Sequence, residues 1–263
     1  MKKSVIGLAV AVVVVVGAIA TWLYLAGRPP QPPPPAVAPP AQSAQSPAEP
    51  VLHPLPEADG QAAPLPALAD SDEAFGAALT GLLGAPAVAQ YLAADNLIRR
   101  VVVTIDNLPR QKVSLDKRAV GAVPGTLRVH GDELHSTLAS ENAARYEPMV
   151  ALVRNLDMHE VAKVYIRFYP LLQRAYTDLG YPTGYFNDRL IAVIDELLAT
   201  PQPAGTIELV RPNVLYEFAD PALEARPAGQ KLLLRMGAEN AAVIKSKLLE
   251  LRAVLTASPR KRH

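Results

Sequence analysis

Residues 5–26 form an uncharged apolar run of 22 residues behind Lys2 and Lys3, with Thr21 its one clearly polar member. A helix needs about 20 such residues to cross the hydrocarbon core of a bilayer, so this run is long enough to span. The chain beyond it is either released by cleavage or held at a membrane. A secretory signal has a shorter apolar region, about 7–15 residues, and then a small-x-small cleavage site. Ala18-Ile19-Ala20 imitates that site but lies inside the run, which favours an uncleaved anchor. Trp22 and Tyr24 stand near its far end, where amphipathic rings prefer the headgroup region. Lys2, Lys3 and the amino terminus face only Arg28 nearby, with no further Lys or Arg before Arg99. The positive-inside bias then puts residues 1–4 in the cytoplasm and everything after residue 26 across the membrane. The residue types suggest a bacterial inner membrane and a periplasmic C-terminal domain.

Between Pro29 and Pro66 lie 14 of the chain's 26 prolines, four of them consecutive from Pro32 to Pro35, mixed with Ala, Gln and Ser. Such a composition cannot bury a core. Proline fixes its own φ and biases its predecessor towards extended backbone. Residues 27–66 are therefore expected to be a disordered but stiff linker, rising about 3.1 Å per residue and reaching on the order of 120 Å. Pro32 and Pro35 also satisfy the PxxP pattern of proline-reading modules, but those are mainly cytoplasmic and would lie on the wrong side. Residues 67–257 remain for one folded domain, and 258–263 for a solvated basic tail. The chain has no cysteine, which removes disulfides, thiolate metal sites and cysteine nucleophiles. A formal charge of +1 supplies no basic field for nucleic acid, so no nucleic-acid partner is expected.

Within the domain the hydrophobic period is mostly 3.6. Phe75, Leu79, Leu82 and Leu83 recur on one face of residues 72–83, which end at Gly84-Ala85-Pro86. A short helix is expected over 87–93, and a third over 96–107 capped by Asp95, although the β-branched run Val101 to Ile105 also suits a strand. No helical period survives over 109–137. There Leu127 and Val129 alternate with polar residues before Gly131-Asp132, and Leu134 comes next, which predicts a small hairpin flap. Tyr146, Met149, Val150, Val153 and Leu156 form the next stripe. Asp157, with Glu160 three residues on, opens a segment running to Leu179, in which Pro170 should produce a kink or a break. Asn187 is the expected cap of a helix burying Leu190, Ile191, Ile194, Leu197 and Leu198. Residues 207–211 read as extended, and 214–218 fit either a strand or one helical turn. Asp220-Pro221 is a cap with proline at the first helical position, and it precedes helices over 230–236 and 239–255. The fold class is thus mainly α: a single helical domain with a minor β-hairpin, behind a transmembrane helix and a proline-rich linker.

Several stretches taken together resemble an uncharacterised bacterial family, the domain of unknown function 3014. They are residues 97–108 (LIRRVVVTIDNL), Arg145-Tyr146-Glu147-Pro148, Gly180-Tyr181-Pro182, residues 210–221 (VRPNVLYEFADP) and residues 233–240 (LLRMGAEN). The similarity covers roughly residues 70–255. It implies an anchor, a variable proline-rich spacer and one helical domain, and it carries no activity, ligand or catalytic residue with it.

Seven of the 14 aromatic residues fall between Tyr165 and Phe186. Tyr165, Tyr169 and Tyr176 share a helical face, and Tyr181, Tyr185 and Phe186 lie in the next loop. Exposed, such a row stacks sugar rings or anchors a protein partner; buried, it is simply core. Arg99, Arg100, Arg211 and Arg235 are candidates for binding carboxylate or phosphate, or else for stapling loops to helix ends through Asp106, Glu217, Asp220 or Glu239. The five histidines carry no HExxH pattern, and neither a GxSxG elbow nor a phosphate or dinucleotide loop occurs. No metal, cofactor or catalytic residue is assigned. The carboxylates Asp188, Asp195 and Glu196 are the one acid set from which a wall-acting enzyme could be built, if they converge in a cleft. The expected function is a single-pass envelope protein held at the inner membrane through residues 5–26. Its domain binds or scaffolds an envelope protein or cell-wall partner, and its oligomeric state is open.

Overall fold

The computed structural model describes residues 50–56, 64–111, 116–132 and 135–257. The anchor run 5–26, residues 27–49 and 57–63 of the linker, and the tail 258–263 lie outside the described residues. Among the described residues no helix is long and apolar enough to cross a membrane.

After a 3-10 turn at Leu68–Asp70 come α1 (Asp72–Leu83), α2 (Ala85–Tyr91) and α3 (Leu97–Asn107). Helix α1 buries Phe75, Leu79, Leu82 and Leu83 and stops at Gly84, whose φ of 81° suits a residue without a Cβ. Helix α2 begins two residues earlier than its pattern suggests, because Pro86 fits the first turn, where its missing N–H is no loss. Residues 101–105 are helical within α3, since Leu97, Ile98, Val101, Val102 and Ile105 all reach the core from one face. Asp95 does not cap α3. Asn96 stands there in the left-handed region, and the Asp72 carboxylate arrives from α1 to accept from Asn96 N at 2.6 Å and Leu97 N at 2.8 Å. A tertiary contact has replaced the local cap.

The long helices are α4 (Asn142–Arg154), α5 (Met158–Asp178), α6 (Phe186–Leu198) and, after the short α7 (Pro221–Glu224) and α8 (Ala228–Arg235), α9 (Ala238–Thr256). Asp157 caps α5 as its sequence indicates, accepting from His159 N at 2.8 Å. The helix continues through Pro170 without a break. Asn187 is not the cap of α6: Tyr185 holds that position, and Asn187 lies buried in the first turn. Helix α5 packs on α1, α3, α6 and α9, and α9 also packs on α4 and α8, around one apolar core.

The expected hairpin is half of a larger element. Strands β1 (Val129–Gly131), β2 (Ser136–Leu138), β3 (Glu208–Val210) and β4 (Glu217–Phe218) form one antiparallel sheet in sequence order. Gly131, with φ of 97°, lies where an added Cβ would collide with the His135 carbonyl oxygen, so the turn requires glycine. Leu209 and Phe218 cross beneath the sheet to meet Leu234 of α8 in a separate small core. The 214–218 alternative is thereby resolved as strand at its end.

Candidate functional site

The aromatic residues gather where α5 ends and α6 begins. Tyr165 and Tyr176 are 8% and 6% exposed and Phe186 is fully buried, so these three face the core and the exposed tyrosine row does not exist. Their spacing matches the buried face of α5, which also carries Phe168 and Leu172. Tyr169, Tyr181 and Tyr185 are half-buried at the rim. Ring contacts link the set: Tyr165 to Tyr169 at 5.6 Å, Tyr169 to Tyr185 at 5.4 Å, and Tyr176 stacked on Tyr181 at 4.5 Å. Gln173 fixes the loop between the helices. Its amide oxygen accepts from Tyr169 Oη at 2.9 Å and Phe186 N at 2.8 Å, and its Nε2 donates to the Gly184 carbonyl at 2.8 Å. A Cβ on Gly184 would stand 2.9 Å from Tyr176 Cε1, so glycine lets the loop close over the ring. Burial raises the pKa of the Tyr165 and Tyr169 hydroxyls, which keeps both protonated as donors.

Across this rim lies a segment of the proline-rich tract. The Asp188 carboxylate accepts two successive backbone N–H groups, Leu52 at 2.9 Å and His53 at 2.7 Å. Asn187 Nδ2 donates to the His53 carbonyl at 2.7 Å, and Leu55 N donates to Tyr185 Oη at 3.1 Å. The tract is therefore not all free linker: residues 50–56 are a strap on the domain, held because a fixed carboxylate and amide match the backbone bend at Leu52 and His53. Between the strap and the loop is a cavity of about 510 Å3, with Pro50 and Leu52 on one wall and Tyr176, Tyr181, Pro182 and Tyr185 on the other.

Beneath the rim, Asp106 at the C-terminal end of α3 has a side chain 2% exposed. It accepts from Arg110 Nη2 at 2.8 Å, Arg189 Nε at 3.0 Å and Tyr181 Oη at 3.2 Å, and Arg189 Nη2 also donates to the Asp106 carbonyl at 2.8 Å. Asp106 raises the pKa of Arg110 by hydrogen bonding and charge. A carboxylate so deeply buried is tolerable because two guanidinium groups and a hydroxyl surround it. The sequence offered no local pattern for Asp106, Asn187, Asp188 and Arg189 as one group; the first lies a whole fold away from the other three.

The four candidate arginines are not brought together. Arg99 pairs with Asp178 at 3.2 Å, and Arg100 with Asp95 at 3.1 Å and the Asp95 carbonyl at 2.8 Å. Both join parts of the domain, though through other acids than those their sequence positions suggested. Arg211 is exposed beyond β3, its guanidinium 5.6 Å from the Tyr216 ring centroid. Arg235 is largely buried 4.8 Å from the Phe218 ring centroid, and desolvation lowers its pKa. The α6 acids also diverge: Asp188 holds the strap, Asp195 forms a bidentate pair with Arg252, and desolvation raises the pKa of Glu196. Among the described residues, no three His, Asp or Glu side chains are placed to hold a metal ion.

These features define a mainly helical domain with a small antiparallel sheet, whose most developed polar site grips the bent backbone of residues 52–55. Residues 97–252 match the family described as Protein of unknown function (DUF3014), and the chain belongs to that family. No curated protein and no solved structure matches the chain. The matched range contains Asp106 and the whole α5–α6 rim, whereas the strap precedes it.

Proposed function

We propose that this chain is a single-pass envelope protein of the bacterial inner membrane, anchored by residues 5–26. Its periplasmic helical domain is a non-enzymatic module that binds a peptide segment of an envelope partner at the α5–α6 rim. The observation that carries this is the pair of strap N–H groups on Asp188 together with the strap carbonyl on Asn187. Those side chains recognise consecutive main-chain groups of a bent segment, a chemistry of binding rather than of bond cleavage. The commitment of Asp188 and Asp195 to the strap and to Arg252 weighs against paired acid catalysis on α6. The strap begins at residue 50, so the spacer between it and the anchor is residues 27–49, with a reach of at most about 70 Å at 3.1 Å per residue.

A photo-crosslinker at Thr183, on the rim, tests the binding site in cells, with Leu249 on an exposed face of α9 as control. Capture of one envelope protein from position 183, reduced by Asp188→Ala and absent at 249, is the expected result. Equal capture from both positions refutes a specific rim site. Protease added to spheroplasts tests the topology: the domain should be digested, and its protection would put it on the cytoplasmic side.

A further inference from the structure

We infer that the cavity between the sheet and helices α8 and α9 is a binding site for a small monocarboxylate with an apolar body, oriented by Lys245. The cavity shares no lining residue with the one beside the strap, so the inference is independent of the rim. It lies at the seam of the two apolar cores: Leu233 belongs to the large core and Leu234 to the small one, and both line it. Ala238, Ala241 and Lys245, spaced three and four apart, put one face of α9 on the wall. The short side chains of these two alanines and of Ala143 on α4 leave the space, and Leu138 and Ile207 close it on the sheet side. The result is a mostly apolar cavity of about 310 Å3, at the lower end of the range for small-molecule sites. Counting about 30 Å3 for each water-sized group, it takes a ligand of about ten non-hydrogen atoms.

The charge on the walls has one sign. Among the described residues the cavity is lined by Lys245, Arg235 and His130 and by neither Asp nor Glu. His130 is exposed and paired with Glu141 at 3.0 Å, and Arg235 lies 4.8 Å from the Phe218 ring centroid, with Glu224 acting on its charge. Lys245 differs from both. It is half-buried, one of its three donors goes to the Thr200 carbonyl, and desolvation lowers its pKa with no acid among the described residues to offset the shift. An ammonium held so beside an apolar cavity favours an anion at hydrogen-bond distance. The N-terminal end of α9, which has no side-chain cap, meets the same wall at Gly237 and Ala238 and adds its partial positive charge. The apolar walls then sort among anions: they reward a hydrocarbon body and disfavour a dianion, whose second charge Lys245 cannot match.

Octanoate is a probe of the right size and charge. Titrated into the full chain in phosphatidylcholine nanodiscs, with alanine methyl groups labelled for NMR, it should shift the Ala143, Ala238 and Ala241 signals saturably. Octanol, uncharged and of the same length, should bind at least about tenfold more weakly, as should octanoate to Lys245→Met, whereas Lys245→Arg should keep most of the affinity. Affinity should rise from butanoate to octanoate and gain nothing further at dodecanoate, because the cavity is then filled. Equal binding of octanol and octanoate by the unaltered chain overturns the inference, whether or not Lys245→Met folds. So does a gain that continues to dodecanoate, which assigns the effect to the lipid surface. Tighter binding of octyl phosphate than of octanoate overturns the monocarboxylate in favour of a dianion. Saturable shifts at Ala192, on the wall of the strap cavity, in place of those three alanines overturn this site without bearing on the rim as a peptide site.

Discussion

Substituting Asp106 by asparagine keeps the size of the side chain and removes its charge. Asp106 is 2% exposed and its partner Arg189 29%, so the guanidinium of Arg189 cannot simply turn to water when the carboxylate is gone. Arg110, at 56%, can. The carboxylate now accepts three side-chain hydrogen bonds, from Arg110, Arg189 and Tyr181; an asparagine oxygen can still serve Arg189, but the amide NH2 would face two donors. Breaking one partner of a buried ion pair costs about 3–5 kcal/mol, and the solvent-accessible edge at Arg110 places this site at the lower end. For a domain of this size about 1 kcal/mol moves the thermal midpoint by about 2–4 °C, so Asp106→Asn should lower it by about 6–12 °C. The assay is thermal unfolding followed by circular dichroism, with Arg110→Ala as comparison, expected to shift it by less than about 4 °C. The double substitution of Asp106 by leucine and Arg189 by methionine removes both buried charges and should recover part of the loss. A fall of less than about 2 °C for Asp106→Asn would refute the account of Asp106 as the buried anchor of the rim.

Gly184→Ala should destabilise the domain by about 1–3 kcal/mol and alter the near-ultraviolet dichroism of the tyrosines, because its Cβ would stand 2.9 Å from Tyr176 Cε1 and 3.3 Å from Tyr181 Cβ. Asp188→Ala should release the strap: amide exchange at Leu52 and His53 should rise at least about tenfold, as expected when two charge-assisted hydrogen bonds of about 1.5 kcal/mol or more each are lost, with the helical amides little changed. Hydrogen bonding to His159 N holds the Asp157 carboxyl below its ordinary pKa. Its folded pKa is therefore lower than its unfolded one, so its stabilising contribution is present above about pH 4 and is lost as pH falls through the folded value. The midpoint of Asp157→Asn should depend less on pH below about 4 than that of the unaltered chain, as thermal melts at several pH values would register.

The helices were legible because each carries its own periodic face. Leu190, Ile191, Ile194 and Leu197 all reach the core from α6 as their spacing indicates. Residues 207–211 were legible as extended, but the pairing of the sheet was legible only where a turn marked it. Strand β3 buries Leu209 alone between exposed neighbours, too little pattern to reveal that it pairs with β2 across the chain. The aromatic cluster stood out by composition, but composition does not say which way a tyrosine points; in α5 the core claimed two of the three. The strap had the opposite problem. Its prolines look like spacer, and what binds it is a carboxylate 135 residues away that answers the backbone of Leu52 and His53 rather than their side chains.

That placement has a mechanical consequence. The strap is held by Tyr185, Asn187 and Asp188, and the next residue, Arg189, is the one that grips buried Asp106. A pull on the strap is therefore passed to the end of α3 through the five consecutive residues 185–189. A ligand that loosens the strap acts on the first turn of α6, whereas a change at Asp106 alters the footing on which the strap is held. The strap and the domain meet at one short polar segment, so under the proposed function the residues that hold the strap are those a peptide partner would have to engage.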